Sequence, residues 1–194
     1  MKPKFALLCA AIFVIASPVA MGQVRLRLVR EFQITKISRD FVNTPVLAYA
    51  GGEAAPRGQG GRWLQVQAEF AAVPAFTDEL TVCYYILFNG NMFTGEVVHV
   101  NVPGGRERRS VIYMPPHVLE RYAGTRPLTL NSVPNVAVQI VQQGEVKDEL
   151  SLARAATQWY AAVTPISGLL LNKNETPFAP LYWDRYEQIK TLGR

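Results

Sequence analysis

The chain has 194 residues, with 20 lysines and arginines against 15 aspartates and glutamates, a formal charge of +5 and two cysteines. That length holds one domain with its own core and excludes two full ones. So mild a positive charge identifies no partner, and two cysteines are too few for a disulfide framework.

The first predicted element is an export signal over residues 1–22. Lys2 and Lys4 precede an apolar run from Phe5 to Ala16, and Ser17-Pro18-Val19-Ala20-Met21-Gly22 supplies small residues ahead of Gln23. The run falls short of the about 20 residues that span a bilayer. Cys9 does not fit a lipid anchor, because Leu8 stands where a small residue is wanted and the apolar run continues past the cysteine. Cleavage after Gly22 removes Lys2 and Lys4, leaves 172 of the 194 residues with a charge of +3, and places the mature protein in the periplasm or at the outer surface. No later stretch is apolar enough to cross a membrane. Cys83 is then the sole thiol, and within Val82-Cys83-Tyr84-Tyr85-Ile86 it reads as a small buried hydrophobe.

Strand signals follow. Val24, Leu26 and Leu28 alternate with Arg25, Arg27 and Val29, and the period resumes at Phe32 and Ile34. Asn43-Thr44-Pro45 breaks it before Val46-Leu47-Ala48-Tyr49, a candidate edge strand. Residues 51–61 hold five glycines and a proline and read as a loop. Trp63, Leu64, Val66, Ala68 and Phe70, with Gln65, Gln67 and Glu69 between the last four, predict a half-buried strand. Val73-Pro74-Ala75 separates it from Leu80 to Phe88, apolar enough for the centre of a sheet, and Asn89-Gly90-Asn91 turns the chain. Val97 to Val102 is ended by Pro103-Gly104-Gly105, and Ser110 to Met114 by Pro115-Pro116. Val118, Leu119 and Tyr122, behind the prolines and ahead of Gly124, predict a short helix over His117 to Tyr122. Val136, Val138 and Ile140 alternate again, and Gln143-Gly144 returns Val146 to Leu152 as a hairpin partner. Gly168-Leu169-Leu170-Leu171 and Asn172-Lys173-Asn174 predict a short strand and turn. Seven or eight strands at roughly 8–15-residue spacing, without strand-helix alternation, predict an all-β antiparallel sandwich with one short helix and an aromatic C-terminal tail.

Chemistry-bearing constellations are sparse. His99 lies mid-strand and reads as half-exposed, and His117, at the helix start, reads as a capping or surface residue. Neither stands at metal-ligand spacing with Cys83, so no metal and no cofactor is expected. Asp78-Glu79 and Asp148-Glu149 read as solvated charge. A hydrolase would need carboxylates brought together from distant positions in a deep cleft. The glycine loop has neither the spacing nor the following helix of a phosphate-binding element. Asn174-Glu175-Thr176 matches a glycosylation sequon, a common pattern. Arg106, Arg108 and Arg109 form the densest basic cluster, the candidate contacts of an alternative function: binding a carbohydrate or extracellular DNA. The tail offers Tyr182, Trp183, Arg185 and Tyr186, residue types that anchor protein interfaces; a tail folded onto its own core is the other placement open to it.

The block Glu175-Thr176-Pro177-Phe178-Ala179-Pro180-Leu181-Tyr182-Trp183-Asp184-Arg185-Tyr186-Glu187, with Trp159-Tyr160 and the β-rich body, resembles a family of small exported immunoglobulin-like proteins of verrucomicrobial bacteria, encoded beside type IV pilus assembly genes. The resemblance implies an immunoglobulin-like fold and a non-catalytic interaction or scaffold role near pilus or secretion machinery. It assigns no binding residue. The expected organisation is a signal peptide over 1–22, a sandwich over 23–155, and an extension over 156–194 that packs on the sandwich or extends it.

Overall fold

The computed structural model describes residues 30–46, 61–156 and 158–191. The expected export signal, the strand predicted from Val24 to Val29, most of the glycine loop and residues 47–49 of the candidate edge strand lie outside them. Among the described residues the fold is all-β with a single α-helix. The strands are β1 (Phe32–Asn43), β2 (Arg62–Phe88), β3 (Asn91–Met114), β4 (Asn135–Gln142), β5 (Glu145–Ser151), β6 (Pro165–Ser167) and β7 (Leu171–Asn172). They form one sheet ordered β5-β4-β2-β3-β6, with β1 also on β2 and β7 also on β3. All pairings are antiparallel except β3 with β6. Val46, expected in an edge strand, lies beyond the end of β1 and is 98% exposed.

Two breaks expected from sequence are not breaks. Val73-Pro74-Ala75 lies inside β2, and Pro103-Gly104-Gly105 lies inside β3. The two segments face each other across the hairpin, where the register shifts between Phe70 and Phe76. Proline is tolerated there because an irregular ladder asks for no N–H at that point. A Cβ on Gly104 would stand 2.5 Å from the Pro74 carbonyl oxygen, and Gly105 takes φ of +149°, so the bend needs glycine at both positions.

The bend divides each long strand between two layers. The first half of β2 pairs with β1 and the second half with β4, and β1 comes to lie against β4 and β5. Side chains two apart point the same way along a strand. Leu64, Val66, Ala68 and Phe70 therefore meet Leu80, Val82, Tyr84, Ile86 and Phe88 in one core, joined by Val136, Val138 and Ile140. Each buried valine, leucine, isoleucine or phenylalanine among them contributes about 1.5–3 kcal/mol by leaving water. The helix α1 (Pro116–Ala123) buries Val118, Leu119 and Ala123 in the same core and stops at Gly124, φ +59°. His117 is exposed at its start.

Two polar residues, Asp148 expected in water and His99 expected half-exposed, are instead buried. Asp148 of β5 is 8% exposed; its carboxylate accepts from the Ile34 backbone N–H at 2.7 Å and from Arg30 at 2.8 Å, tying β1 to β5. His99 is 1% exposed rather than half-exposed. Its Nδ1 lies 3.2 Å from the Glu187 carbonyl oxygen and its Nε2 2.7 Å from Ser110 Oγ. A carbonyl can only accept, so Nδ1 carries the proton and Nε2 accepts from the serine. The ring thus clasps the two arms of bent β3 and the C-terminal segment together.

Burial holds the His99 imidazole down to about 4, against backbone hydrogen bonds from the last segment that raise it. An unfolded imidazole near 6.5 takes up a proton that the folded one refuses. Stability is therefore complete above pH 6.5 and falls by up to about 3 kcal/mol as pH drops toward 4. Glu187, raised by burial, works in the opposite sense. Urea unfolding of the mature protein between pH 7 and 4 should show this loss, and His99→Gln should flatten it, because glutamine can donate to Glu187 and accept from Ser110 without titrating.

Candidate interaction surface

The outward faces of the two layers are each covered by part of the chain beyond β5. On the β2–β4 layer, Tyr160 from a short turn at Trp159–Ala162 stacks on Tyr85 with centroids 4.0 Å apart and donates to Glu149 at 2.8 Å. Glu149 and Asp148 are thus both engaged. Beside this cover lies an open groove of about 880 Å³ lined by Cys83, Glu96, Leu170 and Ile189 among others. Burial first, and then the Glu96 charge, push the Cys83 thiol up to about 11. It stays protonated and a poor nucleophile.

On the β1–β2–β3 layer, Phe178 is the anchor. It stacks on Tyr113 at 4.6 Å and meets Trp63 edge-on at 5.7 Å. A capped turn at Lys173–Glu175 delivers it, with Asn172 accepting from the Asn174 N–H and Lys173 donating to the Ala179 carbonyl at 2.6 Å. Asn174 of the sequon is exposed, whereas the Thr176 hydroxyl is buried and donates to the Lys173 carbonyl at 2.8 Å. Tyr186 is the second anchor, 9% exposed, its hydroxyl donating to Gln67 Oε1 at 3.0 Å.

Between these anchors the chain loops outward. Tyr182 is 56% and Trp183 81% exposed, and Tyr182 holds φ of +53°, which a tyrosine adopts only under local constraint. Arg185 lies over the Tyr182 and Tyr186 rings at 5.9 and 5.7 Å and donates to Gln67 Oε1 at 3.3 Å. The four tail residues singled out in sequence therefore divide: Tyr186 is a foundation, while Tyr182, Trp183 and Arg185 reach the surface. Between them and β1 lies a cleft of about 450 Å³ floored by Gln65 and Gln67. Both glutamines were legible as the polar side of an alternating strand, but nothing local marked that side as a site.

The basic cluster comes apart. Arg108 pairs with Glu187 at 3.5 Å, and Arg109 with Glu69 at 3.6 Å and Glu107 at 4.0 Å, leaving Arg106 the member without an ion pair among the described residues. His99 and Ser110 make a base–hydroxyl contact, yet Ser110 is fully buried, so the pair presents no nucleophile to a substrate. No group of three or more metal-ligating side chains occurs among the described residues. No helix among them is long and apolar enough to cross a membrane.

One family model matches residues 25–192 of the 194. The chain belongs to that family. Among solved structures, the chain is similar to a crystal structure of a protein from Akkermansia muciniphila, with a TM-score of 0.70 and 21% identity over 84% of this chain and 94% of that one. At that identity the likeness is one of fold. No curated protein matches the chain.

The three tryptophans report the arrangement separately, since Trp63 is 8% exposed and Trp159 half-buried while Trp183 is open. Trp183→Phe should remove the iodide-quenchable emission and shift stability by no more than about 0.5 kcal/mol. Phe178→Ala should cost about 3–5 kcal/mol and make the emission of Trp63 quenchable.

Proposed function

We propose that this is an exported, non-catalytic interaction or scaffold protein of the bacterial envelope, periplasmic or at the outer surface, that holds a protein partner through Tyr182, Trp183 and Arg185. The observation that carries the reading is the exposed Trp183–Tyr182 loop pinned at both ends by buried aromatic anchors. Exposed aromatic residues beside an arginine are the commonest interface hot spots. A loop ordered in advance also loses less entropy on binding. Export is supported by residues 1–22. The immunoglobulin-like assignment and the association with type IV pilus or secretion machinery are supported by the resemblance carried by residues 175–187. The alternative, a carbohydrate or DNA contact through Arg106, Arg108 and Arg109, is disfavoured by the carboxylates already paired with two of the three.

The test is cross-linking in the native envelope, comparing the wild-type chain with Trp183→Ala. Capture of a pilus or secretion component by the first and not by the second is expected. Equal capture by both chains would remove this loop from the interface.

A further inference from the structure

We propose that the cleft between β1 and the tail is a saccharide-binding site. Its volume, about 450 Å³, falls in the range of ligand pockets, roughly 300–1,000 Å³, and its chemistry is that of hydroxyl recognition. Gln65 lies on the floor with its amide N–H groups directed to the hydroxyls of Tyr113 and Tyr186, at 3.3 and 3.1 Å. The two phenols fix the amide plane and leave its carbonyl oxygen uncommitted among the described residues. An acceptor held in one orientation suits a sugar hydroxyl, which can donate and accept at once.

The walls add groups of both signs. Lys36 and Asp40 come from β1, and neither makes an ion pair among the described residues. Arg185 comes from the tail, steadied by Gln67 and two rings. A carboxylate and a guanidinium facing one space can each take two neighbouring hydroxyls in a planar, two-point contact. The same mixture disfavours a phosphate backbone, which Asp40 repels, and an apolar ligand, which would strand the polar floor. Tyr182 stands at the rim with its ring exposed, a flat apolar surface for the C–H face of a pyranose. Tyr182 holds its φ of +53° where it lines the cleft, a strained backbone of the kind that clusters at ligand sites.

Tyr182 and Arg185 belong both to this cleft and to the protein-binding loop, but Trp183 does not line the cleft, so a substitution at Trp183 tests the loop apart from this site. The ¹⁵N-labelled mature protein should be titrated with short oligosaccharides, one set neutral and one containing uronic acids. Saturable shifts centred on Lys36, Asp40, Gln65 and Tyr182 are expected with at least one set. Asp40→Ala and Arg185→Ala should each weaken binding by about tenfold or more with unchanged melting, and Trp183→Ala should leave binding intact. Absence of saturable shifts with both sets, shifts that map elsewhere, or binding that survives both cleft substitutions would overturn the proposal. Loss of saccharide binding in Trp183→Ala would overturn it too, by placing the contact on the loop.

Discussion

The structure depends on one constraint: a hairpin too long to lie flat, forced to fold back on itself where Val73-Pro74-Ala75 meets Pro103-Gly104-Gly105. A straight strand of that length would expose both faces of its middle to water. Bending it brings the inward residues of its two halves together, so one sheet encloses its own core. The cost falls on the glycines, since nothing larger than hydrogen fits between Gly104 and the Pro74 carbonyl. The free edges created by the fold are then tied by the Asp148 carboxylate on the Ile34 amide. His99 ties the arms of β3 at the other side.

A sheet folded in this way still has two outward faces, and each carries aromatic residues that water would not tolerate in bulk. Tyr85 on one face and Trp63 and Tyr113 on the other are covered by Tyr160 and Phe178, both contributed after β5. The segment that covers the second face has more aromatic surface than the face can absorb. Its surplus, Tyr182 and Trp183, is left in solvent beside a polar cleft. Function on this reading is a by-product of how the tail packs: buried residues at 178 and 186 set the position of exposed residues at 182 and 183.

Much of this was legible from local pattern. The alternation at Leu64, Val66, Ala68 and Phe70 placed those residues inward, the prolines and Gly124 bounded the helix, and Gln143-Gly144 marked the β4–β5 turn. What could not be read was set by distant partners. Proline and glycine end a strand in isolation, and only their juxtaposition across the hairpin turns two endings into one bend. Asp148 is buried because Ile34, 114 residues earlier, presents an unpaired N–H, and no window around Asp148 contains that fact. The tail was recognisable as aromatic, but which of its rings face inward follows from the shape of the surface beneath them. The polar floor at Gln65 and Gln67 became a site only when Tyr186 and Arg185 arrived over it.

The claim that both halves of the hairpin belong to one interior is tested most directly by native-state hydrogen exchange of the mature protein in sub-denaturing urea. Amides of Leu64 to Phe70 and of Leu80 to Ile86 should open together, with a common free energy and a common urea dependence, because neither half has a core without the other. Two separate opening energies, with one half exchanging while the other stays closed, would mean that the bend joins two independent layers, and the account built on a shared core would fail.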